Sequence, residues 1–174
     1  AAAETQAPGY EGDVPMPTHS GVRYGEHERH VLDFWQAESD EPTPLVLVIH
    51  GGGWKGGSKE RLNRFADVNA LLDAGISVAA NNYRLMEHAA DVVPPVKAPM
   101  HDSTRALQFI RSQAAEWNIN PERIGLAGGS AGACTSLWLA YHEDLADPDS
   151  DDPVARQSAR VMCAAVKGPQ TTLD

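Results

Sequence analysis

The sequence predicts an α/β fold: a mostly parallel sheet with helices on both faces. Three observations carry that prediction. Pro44–His50, "PLVLVIH", is an unbroken apolar run too short for a helix and rich in Val, the pattern of a strand buried on both faces. Similar short runs recur at "ISVAANNYRL", "RIGLAG" and "RVMCAAVKG". Between them lie segments with helical spacing, and strands alternating with helices pack most simply as a parallel sheet covered on each side.

Taken in order, residues 1–21 are rich in Ala, Pro and Gly and are expected to form a flexible lead-in, with 22–174 expected as the N-terminal part of one domain. "GVRYG" and "HVLDFWQA" carry β-formers and predict edge strands or a hairpin around Gly25–Arg29. "KERLNRFADVNALLDAG" spaces Leu62, Phe65, Val68 and Leu72 as one helix closing on Gly75. After the proline-punctuated "DVVPPVKAP", residues Ala106, Leu107, Ile110, Ala114 and Trp117 define one face of a helix opening near Met100. "NPER" reads as a turn, Ser130–His142 as a third helix.

Composition narrows the function. The formal net charge is −10, which argues against nucleic acid as a partner, because phosphate binding needs clustered Lys and Arg. No run is long enough for a membrane span. The lead-in resembles what a signal peptidase leaves behind, so a secreted or periplasmic location is expected, with the cytoplasm as the alternative. Cys134 and Cys163 sit in apolar contexts and are expected as buried free thiols. Asp147, Asp149 and Asp151 have the spacing that opens a calcium loop. Pro148 and Asp152 then stand at its second and sixth positions and Ser158 replaces the closing glutamate, so a solvated loop is expected and no metal.

Two glycine-rich stretches carry the chemistry. "GGSAG", Gly128–Gly132, fits G-x-S-x-G at a strand-to-helix junction. A nucleophile on such a sharp turn needs strained backbone angles and small neighbours, and the N-terminal amides of the following helix favour a developing oxyanion. "HGGGWKGG", His50–Gly57, follows the first buried strand and can offer backbone N–H groups to negative charge. It does not match a phosphate loop, since Lys55 and Ser58 are not adjacent.

Together "HGGGW", "NNYRLMEH" and "DSTRALQFIRSQAAEWNINPERIGLAGGSAGA" resemble the α/β-hydrolase serine esterases of the hormone-sensitive-lipase-like group, and related bacterial esterases that deacylate plant polysaccharides. The resemblance spans roughly Leu45–Ala140. It implies Ser130 as nucleophile and the amides of Gly52, Gly53 and Ala131 as the oxyanion hole. It further implies His50 as the residue orienting the glycine loop, and Trp54 as a further substrate or oxyanion contact. The group's usual "YRLAPEH" is a residue shorter here.

The same resemblance implies an acid and then a histidine after later strands. His142, the one histidine beyond the serine, lies about 18 Å along the helix at ~1.5 Å per residue. His88 and His101 precede the serine and read as loop or helix-start residues, and Asp102 as a helix-start carboxylate paired with Arg105. The triad acid and histidine are therefore expected on a C-terminal fragment of the same protein, present as a second chain. A truncated chain or a degenerate hydrolase kept as an interaction module are the alternatives. A sheet ending here would expose an apolar edge. The activity implied is hydrolysis of carboxylic esters, small or polymer-borne, without cofactor or metal. An amide-cleaving relative, formamidase or peptidase, is the alternative chemistry.

Overall fold

At the centre of the sheet lies β3 (Thr43–Ile49), whose side chains alternate between two buried faces although every one from Leu45 to Ile49 is apolar. Leu45, Leu47 and Ile49 enter one core with Leu107, Ile110 and Leu126, while Val48 enters a second with Trp35, Leu62 and Val78. The computed structural model describes residues 7–170. β1 (His19–Arg23) and β2 (Val31–Trp35) form the expected antiparallel hairpin, β4 spans Ser77–Asn81, β5 Ile119–Gly129 and β6 Cys163–Lys167. The sheet order is β1-β2-β4-β3-β5-β6, with β4, β3, β5 and β6 mutually parallel.

Helices cover both faces. α2 (Lys97–Ser112) and α3 (Ala131–Tyr141) pack on the Leu45 side, and α1 (Val68–Asp73) with a 3-10 turn at Lys59–Arg64 packs on the Val48 side. No helix of the described residues is long and apolar enough to cross a membrane.

Several expectations are corrected. The described part of the lead-in is anchored. Val14 is fully buried, the Tyr10 ring meets Trp35 edge-on at 5.3 Å, and Trp35 Nε1 donates to the Pro15 carbonyl at 2.8 Å. Residues 1–6 of that expectation lie outside the described residues. The helix expected over 59–75 is broken, because Asp67 turns its carboxylate onto Ala70 N (3.1 Å) and caps a new helix there. Gly75 ends that helix at φ +74°, as expected. α2 begins earlier than expected because Pro99 falls in its first turn, where no N–H is needed. "NPER" lies inside β5 as an irregularity: the register jumps from Thr43↔Ile119 to Leu45↔Ile124, and Asn120 Oδ1 accepts from Glu122 N at 3.0 Å. Cys134 is buried and free, but Cys163 is exposed at the start of the edge strand β6. In the acidic loop, Asp147 Oδ1 accepts from Asp149 N, so the carboxylate serves the loop's own backbone.

One buried ionic network ties the N-terminal segment to the sheet. Asp33 on β2 accepts from Tyr10 Oη (2.6 Å), Gly21 N (2.6 Å) and Lys59 Nζ (2.7 Å). Burial alone pushes the Lys59 ammonium down, but its bonds to Asp33 and Glu60 outweigh burial and hold it above the usual lysine range. Removing one partner of a buried pair leaves an uncompensated charge. Lys59→Met is therefore expected to lose about 3–5 kcal/mol of stability in denaturant titration. Adding Asp33→Asn to it is expected to recover part of that loss.

Candidate active site

Because β3, β4 and β5 are parallel and in register, Ile49, Asn81 and Gly128 stand side by side at one edge of the sheet. The segments that leave these strands therefore meet there: the glycine loop after β3, Tyr83–Arg84 after β4, and Ser130 after β5. Ligand sites of open parallel sheets form beyond such carboxyl ends.

Ser130 takes φ +52°, ψ −119°, a conformation that costs a non-glycine residue about 1–3 kcal/mol. Its backbone is pinned on both sides. The amide donates to the Lys167 carbonyl of β6 at 3.0 Å, and its carbonyl accepts from Cys134 N at 2.9 Å inside α3. The side chain is exposed, and no described side chain hydrogen-bonds to its hydroxyl. The glycines around it are a packing requirement. A Cβ on Gly132 would stand 2.0 Å from the Ile49 carbonyl oxygen, and one on Gly128 would stand 2.7 Å from the Gly132 carbonyl. α3 thus begins directly against β3.

The loop from His50 to Gly57 lies against that elbow: a Cβ on Gly51 would meet the Gly129 carbonyl at 2.7 Å and Ser130 Cβ at 3.3 Å. Gly52, at φ +114°, turns its carbonyl into the loop to accept from Lys55 N (3.0 Å) and Gly56 N (3.2 Å). Within the described residues, no hydrogen bond takes up the backbone N–H of Gly52, Gly53 or Ala131. Three donors from two separate segments thus remain uncommitted beside an exposed serine.

His50 is buried and stacks on Tyr83 with ring centroids 4.2 Å apart. Its Nδ1 lies 2.7 Å from the Gly51 carbonyl, which places the imidazole proton there, and Tyr83 Oη donates to the His50 carbonyl at 2.7 Å. Burial pulls the imidazole down to about 4, against a smaller rise from the Gly51 bond. It is neutral at pH 7. Arg29, from the β1–β2 hairpin, closes the loop's other end by donating to the Gly57 carbonyl (2.9 Å) and the Tyr83 carbonyl (2.7 Å). Trp54 is buried with its indole N–H donated to Thr135 Oγ1 at 3.1 Å, so its side chain is turned into the core and only its backbone faces the loop.

The histidines considered from sequence are engaged elsewhere. His88 Nδ1 accepts from Leu85 N, His101 on α2 lies near Trp138 of α3, and His142 closes α3 with its ring against Trp138. The expected Asp102–Arg105 pair is corrected. Asp102 faces the end of β4 and binds Arg84 through both oxygens, Oδ1 to Nη2 at 2.7 Å and Oδ2 to Nε at 2.9 Å. His30 Nε2 lies 2.9 Å from the same carboxylate. Arg105 reaches across to Asp152 (2.6 Å) and the Tyr24 carbonyl (2.8 Å). Arg29, His30, Tyr83, Arg84 and Thr135 were not singled out from sequence. A cue was present only for Tyr83 and Arg84, in the "NNYRL" that ends a buried strand.

The sequence profile of one family, BD-FAE, matches residues 32–167. The chain belongs to the BD-FAE family. It is 31% identical over 138 residues to Carboxylesterase NlhH of Mycobacterium tuberculosis, covering 79% of this chain and 37% of that protein. It is 32% identical over 133 residues to Kynurenine formamidase of Debaryomyces hansenii, covering 72% and 41% respectively. Among solved structures, an acetyl ester-xyloside bifunctional hydrolase from Caldicellulosiruptor lactoaceticus superimposes with a TM-score of 0.67 at 30% identity. That match covers 80% of this chain and 49% of the other. The fold is that of the α/β-hydrolase esterases, and the chain spans about half or less of the length of these relatives.

Two outcomes are expected from this geometry. Gly132→Ala forces a methyl into the Ile49 carbonyl. It is expected to cost at least about 1–3 kcal/mol, read as a fall in Tm. For Asp102, burial raises the carboxyl, but the bonds from His30 and Arg84 prevail and bring it from 3.8 down to about 2. A carboxylate depressed on folding contributes stability above its unfolded value and loses it as pH falls through the folded one. The stability gap between the protein and its Asp102→Asn variant should therefore be full at pH 6. It should shrink by about 2 kcal/mol between pH 4 and pH 2 in urea titrations.

Proposed function

We propose that this chain is the nucleophile-bearing part of a serine carboxylesterase. The observation that carries the reading is the placement of an exposed Ser130 on a strained elbow beside the uncommitted N–H groups of Gly52, Gly53 and Ala131. Ser130 Oγ attacks the ester carbonyl carbon while a histidine takes its proton. The former carbonyl oxygen, now negative, is received by the three amides. The C–O bond then breaks, the alcohol leaves with the proton returned by the histidine, and water cleaves the acyl-serine to a carboxylic acid. His50 stays neutral and orients the glycine loop. The histidine and its carboxylate partner belong to a segment outside these 174 residues, continuous with the chain or held as a second polypeptide against β6. The chemistry requires neither metal nor organic cofactor.

An amide-cleaving activity is the second reading, favoured by the similarity to Kynurenine formamidase. The same nucleophile and amides serve both, and a panel pairing short-chain nitrophenyl esters with aryl formamides separates them.

The test is made on the complete protein. A fluorophosphonate is expected to label Ser130, located by peptide mass. Ser130→Ala should abolish labelling and lower nitrophenyl acetate turnover by roughly 10⁴–10⁶-fold with Tm maintained. Turnover that survives the substitution overturns the proposal.

A further inference from the structure

We propose that Thr135 is a positioning residue for the oxyanion hole, setting the spacing between its two halves; the inference rests on the esterase reading. The donors at Gly52 and Gly53 belong to the loop after β3, and the donor at Ala131 belongs to α3, far along the chain. Within the described residues, one hydrogen bond crosses between residues 50–57 and residues 130–141: Trp54 Nε1 to Thr135 Oγ1, 3.1 Å, over 81 positions of sequence. The Thr135 hydroxyl in turn donates to the Ala131 carbonyl at 2.9 Å. The link therefore runs from the indole next to Gly53, through one hydroxyl, to the residue whose amide completes the hole.

The chemistry of the groups makes this link directional. An indole N–H is a donor only, and buried as Trp54 is, it needs an acceptor. A threonine hydroxyl has one proton and two lone pairs. Bonding back to the carbonyl four residues earlier uses the proton and fixes the rotamer, which leaves a lone pair aimed out of the helix for the indole. Thr135 is fully buried on α3. Helix formation gains nothing from it there, and packing alone would be served as well by the isosteric Val. Trp54 is also held from its other end, where its carbonyl accepts from Met86 N at 2.8 Å. A shift of the loop against α3 therefore strains the Trp54–Thr135 bond.

The decisive comparison uses Thr135→Val, which keeps the shape and removes the acceptor, Thr135→Ser, which restores it, and Trp54→Phe, which removes the donor from the other side. All are made in the complete protein. Steady-state kinetics on nitrophenyl acetate are measured beside fluorophosphonate labelling and Tm. A displacement of an ångström in a reacting geometry can cost about 10²-fold. Thr135→Val and Trp54→Phe are accordingly each expected to lower kcat about 10- to 100-fold, with KM changed less than about twofold. Thr135→Ser should return kcat to within about threefold of the parent, and the double variant Trp54→Phe/Thr135→Val should be no slower than the worse single one. Wild-type kcat in Thr135→Val or Trp54→Phe, or a Ser variant as slow as the Val variant, overturns the positioning role while leaving the esterase reading intact. A parent protein inert to both ester and fluorophosphonate overturns both. Should Thr135→Val not fold, Trp54→Phe alone decides between these outcomes.

Discussion

The first turn of α3 approaches the Ile49 carbonyl so closely that no side chain fits between them, and the rest of the site depends on that contact. With a bare backbone at Gly128 and Gly132, β5 can turn through Ser130 and enter the helix without moving away from β3. The glycine loop, which leaves β3 at His50, is thereby laid alongside Gly129 and Ser130 instead of several ångströms off. Ser130 and the glycine loop are neighbours because two strands and a helix share space that side chains would otherwise take. Protein interiors are packed densely enough that a displaced methyl is felt.

Polar groups placed behind the site hold it in that arrangement. Arg29 and Tyr83 fix the two ends of the glycine loop through its carbonyls, and Arg84 and His30 converge on Asp102 below the end of β4. The buried carboxylates of Asp33 on β2 and Asp102 on α2 each have cationic or N–H partners, so the fold carries both in paired form. His50, stripped of water and bonded to Gly51, is a structural imidazole.

Much of this was legible in the residues. The Val- and Leu-rich β3 declared a strand buried on two faces, and G-x-S-x-G after another such run declared the elbow. What could not be read were contacts whose partners lie far apart in the chain. Asp102 and Arg105 are three positions apart on one helix, and local spacing suggested a pair; the observed partners come from the end of β4 and from the β1–β2 hairpin. The break in the helix over 59–75 depends on Asp67 capping a new start. The anchoring of Tyr10 depends on Trp35 and Asp33, which no local pattern around Tyr10 announces. Nothing in the spacing of "SAGACTSLW" marks Thr135, because its bond from Trp54 spans 81 positions of sequence.

The bond from the Ser130 amide to the Lys167 carbonyl gives the elbow a dependence on assembly order. The β1–β2 hairpin closes across a short loop, so it can form early and locally. The β3–β5 and β5–β6 pairings enclose long stretches of chain whose ends must be brought together first, and such non-local pairings are the slow part of folding. The Ser130 amide finds this acceptor only when β6 has docked on β5, which adds to the packing of Gly128 and Gly132 that turns the chain. A partly folded chain can therefore hold much of its apolar core before the elbow has all of its supports, and the fully pinned serine belongs to the completed sheet.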